Sequence, residues 1–151
     1  MKIQIISMAI VSSLLLLLAC GKNPERINYG EDECELCRMR IMDNQYGAEI
    51  VSDKGKIYKF DSVECLINFS LQKNTIGDEN QTFLISDYSN PGVFVEANKT
   101  FFVHNDNFSS PMGLNVSGFK HERDAENFIS QNGGDKLSWM SVIELTKKNN
   151  M

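Results

Sequence analysis

The sequence predicts an α+β fold made of two related strand-strand-helix-strand units packed as one small globular protein. Three observations carry this. A hairpin pattern runs directly into a capped helical pattern over residues 46–72, and short strand patterns followed by a helical pattern recur over residues 93–131. A small internal echo links the two: Phe60 precedes Asn68-Phe69 by the same interval at which Phe119 precedes Asn127-Phe128, and each pair marks a strand leading into a helix. The chain has 151 residues, 42% of them hydrophobic and 23% charged, with three prolines. That is the size and composition of one folded domain, or of two small ones that share a core.

YGAEIVS, residues 46–52, alternates as a strand does; Asp53 to Lys56 is a turn; IYKF, residues 57–60, returns as the second arm of a hairpin. Asp61-Ser62 offers an N-cap, and VECLINFSLQ places apolar residues at 63, 66, 67 and 71, which is a helix. Residues 77–81 break the pattern, and TFLISDY, residues 82–88, reads as a third strand. In the second half, residues 93–95 and 100–104 are short strands, 108–113 is a loop, and 114–119 is another strand candidate. Residues 121–131 form a helix with Ala125, Phe128 and Ile129 on one face, and Gly133-Gly134 ends it as a C-cap. Residues 136–140 or 141–145 close the chain as a strand or a short helix. The corresponding halves are 34–90 and 91–151.

The N-terminus reads as a targeting segment. Lys2 is followed by an apolar run of roughly fifteen residues, short for a spanning helix and suited to a secretory signal over residues 1–19. Leu17-Leu18-Ala19-Cys20 is similar to the bacterial lipobox, in which the cysteine is lipidated and becomes the new N-terminus, giving a hydrophobic anchor at Cys20. Residues 20–33 then serve as the lipidated N-terminus and a flexible, polar linker, in which Asp32-Glu33 is solvated. The expected product is an extracytoplasmic domain, residues 34–151, tethered to a membrane on the periplasmic side. The net charge of -5 removes the basic surface that binding to nucleic acid phosphates requires.

This placement leaves Cys34, Cys37 and Cys65, an odd number in a compartment where thiols pair, so at least one sulfur stays free for reaction or metal binding. Cys34 and Cys37 sit in ECELCRMRIMD, residues 33–43, with Met39 two residues further on. Four readings are open. A thioredoxin-like redox pair follows a buried strand, whereas this one follows a polar linker. Structural zinc wants a second ligand pair, which Cys65, His104 and His121 would have to assemble from scattered positions. A structural disulfide between Cys34 and Cys37 is the third. The fourth is Cu(I), favoured by thiolate together with thioether; Met112, in the loop Ser109-Ser110-Pro111-Met112-Gly113, supplies a methionine between rigid neighbours.

The lipobox, then CELCRMRIMDNQYGAEIVSDKGKIYKFDSVECLINF, then SPMG, then an alanine- and phenylalanine-bearing helix ending in GG, resembles the NosL family of nitrous-oxide-reductase accessory lipoproteins over nearly all of the mature chain. The resemblance implies a Cu(I)-binding metallochaperone that hands copper to the maturation machinery of nitrous oxide reductase, an ABC-type membrane complex with its partners. It places the motif CxxCxM on Cys34, Cys37 and Met39, and the PMG methionine on Met112. Cys65 belongs to a branch with a cysteine after the first hairpin, as a further ligand or a packing residue. Arg38 stands where many members have glycine, which bears on the turn and on charge beside the site. His104 and His121 fit no motif and read as surface or capping residues. Nothing argues for an enzyme: there is no Ser/His/Asp order, phosphate-cradling glycine loop or dinucleotide fingerprint, and Gly55-Lys56 lies in a hairpin. The rival is a thiol-disulfide oxidoreductase using Cys34 and Cys37.

Overall fold

A computed structural model describes residues 24–149, so the signal segment and Cys20 lie outside the described residues. Strands β1 (Ala48–Ser52) and β2 (Ile57–Phe60) form the expected hairpin, which leads into helix α1 (Val63–Gln72). Strand β3 (Gln81–Ser86) returns to pair with β1 from the other side, in register Ile50 opposite Phe83. The second unit repeats this path: β5 (Phe101–His104), β6 (Val116–Phe119), α2 (Glu122–Asn132) and β7 (Asp135–Leu137). All pairings are antiparallel, and in each sheet the unit's first strand lies inside, giving the orders β2-β1-β3-β4, with β4 (Phe94–Glu96) at the edge, and β6-β5-β7. The fold is α+β, as expected.

The phenylalanine echo has a physical basis. Phe60 and Phe119 each end a strand, and each meets the helical phenylalanine nine residues later, with ring centroids 5.3 Å apart for Phe60 and Phe69 and 5.4 Å for Phe119 and Phe128. The same two rings pin the helix to its hairpin in both units, which is why the spacing recurs.

Four details differ from the sequence reading. The short strand near residue 94, β4 (Phe94–Glu96), adds to the edge of the first sheet beside β3, so the second unit begins with β5. The third strand stops earlier than the apolar run suggests, because Asp87 and Tyr88 leave the ladder: Tyr88 N–H donates to Gly118 O at 2.8 Å, and Asp87 Oδ1 accepts from Lys120 N–H at 3.3 Å. The C-terminal segment is both a strand, β7, and a full helix, α3 (Trp139–Asn149). Finally, residues 27–33, read as spacer, belong to the fold: Ile27 is buried in the core, and Asp32 is paired with Lys59 Nζ at 2.8 Å rather than solvated.

One core runs between the two sheets, joining Ile50, Phe60 and Leu66 of the first unit to Phe102 and Val116 of the second and to Val142 and Ile143 of α3. Trp139 stacks on Phe102 at 5.8 Å and closes that core from the C-terminal side. Gly133-Gly134 caps α2 as expected, and a side chain at Gly134 would meet His104 O at 2.6 Å, so only glycine fits there. Among the described residues no helix is long and apolar enough to cross a membrane.

Candidate metal centre

Residues 30–42 fold back on themselves as a tight, ladder-like loop. Ile41 N–H donates to Asp32 O at 2.9 Å, Cys34 N–H to Met39 O at 2.8 Å, and Arg38 N–H to Cys34 O at 3.0 Å, with Glu33 bridged to Arg40. Arg38 sits at φ 62, a left-handed conformation that glycine adopts without cost. A glycine there, as the sequence resemblance implies for many members, would meet no such cost, and the Arg38 guanidinium itself lies exposed, 3.6 Å from Glu35. Glu35 N–H then donates to Lys59 O at 2.8 Å, docking the loop on β2.

The end of β2 and the start of α1 supply the other side. Ser62 is the N-cap, its hydroxyl accepting from Cys65 N–H at 3.4 Å, so Cys65 lies in the first helical turn. Asp61, one residue earlier, is freed from capping and turns to the sulfurs: the Cys37 thiol donates to its Oδ2 at 3.4 Å.

The Sγ atoms of Cys34, Cys37 and Cys65 and a carboxylate oxygen of Asp61 all lie within 4.8 Å of one another. Cys34, Cys65 and Asp61 are buried and Cys37 is partly open, so the group has one accessible side. All three cysteines carry free thiols. The structure thus brings together Cys34, Cys37 and Cys65, and adds Asp61, which reads from sequence as half of an N-cap pair. Met39 and Met112 are 48% and 44% exposed; Met39 lies on the cysteine loop, and Met112 on the loop before β6. His104 lies on β5, 3.4 Å from Asp106, and His121 occupies the N-cap position of α2 without a side-chain capping bond, so neither joins the cysteines.

The three sulfurs are not equivalent. The Cys65 thiol donates to Cys34 and, against the effect of burial, brings the Cys34 thiol down to about 6, aided by the backbone N–H groups of Cys37, Asp61 and Leu36. Burial pushes Cys37 up to about 11, with the neighbouring Asp61 and Cys34 charges adding to it. Cys65 is pushed up as the donor to Cys34, by burial and by its proximity to Asp61. At neutral pH the resting group therefore holds one thiolate, Cys34, and two thiols. A soft thiolate beside two thiols that can lose protons is a trap for a soft cation.

A family model, NosL, matches residues 27–146. The chain belongs to the NosL family. Among solved structures it is similar to the copper chaperone NosL from Shewanella denitrificans, with 26% sequence identity and a TM-score of 0.65 over 78% of this chain and 93% of that one. No curated protein matches. The matched span begins at Ile27, the first core residue of the N-terminal segment, so the NosL fold includes the residues read as spacer.

Proposed function

We propose that this NosL chain is a Cu(I) metallochaperone, anchored outside the cytoplasm through lipidated Cys20, that delivers copper by ligand exchange. The observation that carries the reading is the cluster of Cys34, Cys37, Cys65 and Asp61 within 4.8 Å, in a chain whose solved relative is a copper chaperone. Cys34 offers a preformed thiolate, Cys37 lies on the open side, and Met39 and Met112, the thioethers that the family resemblance adds to the set, are exposed. An arriving ion meets neutral thioethers and Cys37 first and settles on the buried thiolates. A receiving partner reverses the order, and its donors bind before the last chaperone sulfur leaves. Low coordination number keeps this exchange fast, and softness keeps hard cations out.

The family resemblance supports a receiving partner in the copper-enzyme maturation machinery, the ABC-type membrane complex of the nitrous oxide reductase pathway. The lipid anchor would keep the chaperone on the same surface as that machinery, replacing a search in solution by one in the membrane plane. Capture of the copper-loaded chain on membranes bearing the complex, with Cu(I) appearing on the acceptor, tests the partner. Transfer at the same rate from an inorganic Cu(I) complex would contradict a chaperone role.

One observation favours a second reading. A thiolate at about 6 beside two thiols is also the arrangement of a dithiol that exchanges disulfides. Two measurements separate them, because disulfide exchange needs neither a bound ion nor a thioether. The copper reading expects the parent to hold Cu(I) against a chelator and, with Met112 as a donor, Met112→Ile to weaken capture by about tenfold; the oxidoreductase reading expects no competition with the chelator and an unchanged disulfide reduction rate in Met112→Ile.

A further inference from the structure

Glu64 is a charged residue that is only 5% exposed, in the first turn of α1 and next to Cys65. Its Oε1 accepts two hydrogen bonds from a distant segment: Ser110 Oγ at 2.6 Å and Leu114 N–H at 2.7 Å. These donors bracket the loop Ser110-Pro111-Met112-Gly113-Leu114. Within it, Gly113 N–H donates to Ser110 O at 3.1 Å, Asn115 N–H to Ser110 Oγ at 2.9 Å, and Ser110 N–H to Asn115 Oδ1 at 3.2 Å. The loop is a closed turn, with Ser110 and Leu114 buried at its base and Met112 exposed at its tip. Both bonds from the base reach one carboxylate oxygen on the helical turn that carries Cys65.

We infer that Glu64 is a positioning residue for copper capture, holding the Met112 loop against the turn of α1 that bears Cys65. The inference rests on the reading of Met112 as a thioether donor. A methionine on a free β5–β6 loop would sample many positions, and each metal encounter would have to order it. Two hydrogen bonds to one oxygen acceptor, from a hydroxyl and a backbone N–H that are both buried, remove that freedom beforehand. Packing alone would be served by an apolar side chain at this helix position. Glu64 instead satisfies two buried donors that hold the methionine's own turn.

The test is anaerobic Cu(I) competition against a chromophoric chelator on the full-length reduced chain in detergent, with sulfur coordination counted by copper X-ray absorption. The variants are Met112→Ile, Glu64→Ala, Glu64→Gln and the double Glu64→Ala/Met112→Ile. Residues that orient a ligand typically contribute about tenfold or more in metal affinity. Both Met112→Ile and Glu64→Ala are therefore expected to weaken binding by about tenfold and to remove one sulfur from the shell. The double variant is expected to be no weaker than Met112→Ile alone, and Glu64→Gln, which keeps an oxygen acceptor, to bind as the parent does. If Met112→Ile leaves affinity and sulfur count unchanged, Met112 is not a ligand and the inference falls, while a cysteine-only copper site still stands. If Met112→Ile weakens binding but Glu64→Ala does not, or if their effects add in the double variant, Glu64 is structural only and the inference is overturned with Met112 still a ligand. Should Glu64→Ala fail to fold, Ser110→Ala, which removes one of the two bonds from the loop side, is judged by the same criteria.

Discussion

Cys37 and Cys65 keep their protons at neutral pH while Cys34 does not, and this inequality makes a countable prediction. If all three sulfurs bind copper as thiolates, loading the reduced chain at pH 8 releases about two protons per Cu(I). Affinity should then rise with pH from about 6 to about 11, because fewer protons remain to be displaced. Release of one proton would leave one of the two out, and release of none would restrict the metal to Cys34 and neutral donors; pH-indicator titration reads this directly. Asp61 is a hard donor in a soft site, so its role separates metals. Asp61→Asn is expected to weaken Zn(II) by about tenfold or more and to leave Cu(I) within about threefold, measured by parallel competition titrations. Arg38 sits in a left-handed conformation that costs a non-glycine residue ~1 kcal/mol. Arg38→Gly should therefore gain up to ~1 kcal/mol in urea unfolding and leave copper affinity unchanged, since the guanidinium points to solvent and Glu35. At this scale sequence spacing identified the sulfur loop but not Asp61, because an Asp-Ser pair before a helix looks like two capping residues. Only the geometry shows that Ser62 caps α1 and Asp61 faces the thiols.

Strand β1 carries an unexpected burden. Its second residue, Glu49, is fully buried, opposite Lys59 on β2, and Lys59 holds the N-terminal segment through Asp32, Glu25 and the Arg26 carbonyl. Burial raises the Glu49 carboxyl to about 7 against the pull of Lys59. A carboxyl whose folded value is raised gives its full stability below the ordinary range and loses it as pH rises through about 7. Between pH 5 and pH 8 this group should therefore cost the parent chain ~2.5 kcal/mol, while the depressed Cys34 thiol adds stability over the same interval, so the test is the difference between parent and Glu49→Gln in urea unfolding: the variant should gain ~2.5 kcal/mol relative to the parent from pH 5 to pH 8. A difference that does not change between pH 5 and pH 8 would contradict the burial argument. The sequence showed β1, β2, α1 and α2 well, because alternation, an N-cap and a glycine pair are local signals. It did not show β4's place at the first sheet's edge, nor the core role of residues 27–33. Those depend on which distant surface they meet, and a short polar segment with Ile27 and Tyr29 as its few apolar anchors has no period to read.

The whole molecule is two copies of one path closed around one core, with α3 as the third face. Since Phe102, Val142 and Trp139 of the second half pack against residues of the first, the halves should not melt separately. Trp139 fluorescence and far-UV circular dichroism are expected to give coincident urea transitions, and a separated pair would mean two independently stable units. This arrangement suits a metallochaperone: the cysteine loop and the β2–α1 junction come from different parts of the chain, and the fold holds their three sulfurs and Asp61 in one place. The central claim is that this place binds Cu(I) in preference to other metals. The most direct measurement is anaerobic titration of the reduced soluble chain with Cu(I) against a competing chromophoric chelator, with zinc as the control. The account predicts one tightly held Cu(I) per chain, lost on Cys34→Ser, with zinc held more weakly; failure to compete with the chelator, or zinc bound as tightly as copper, would contradict it.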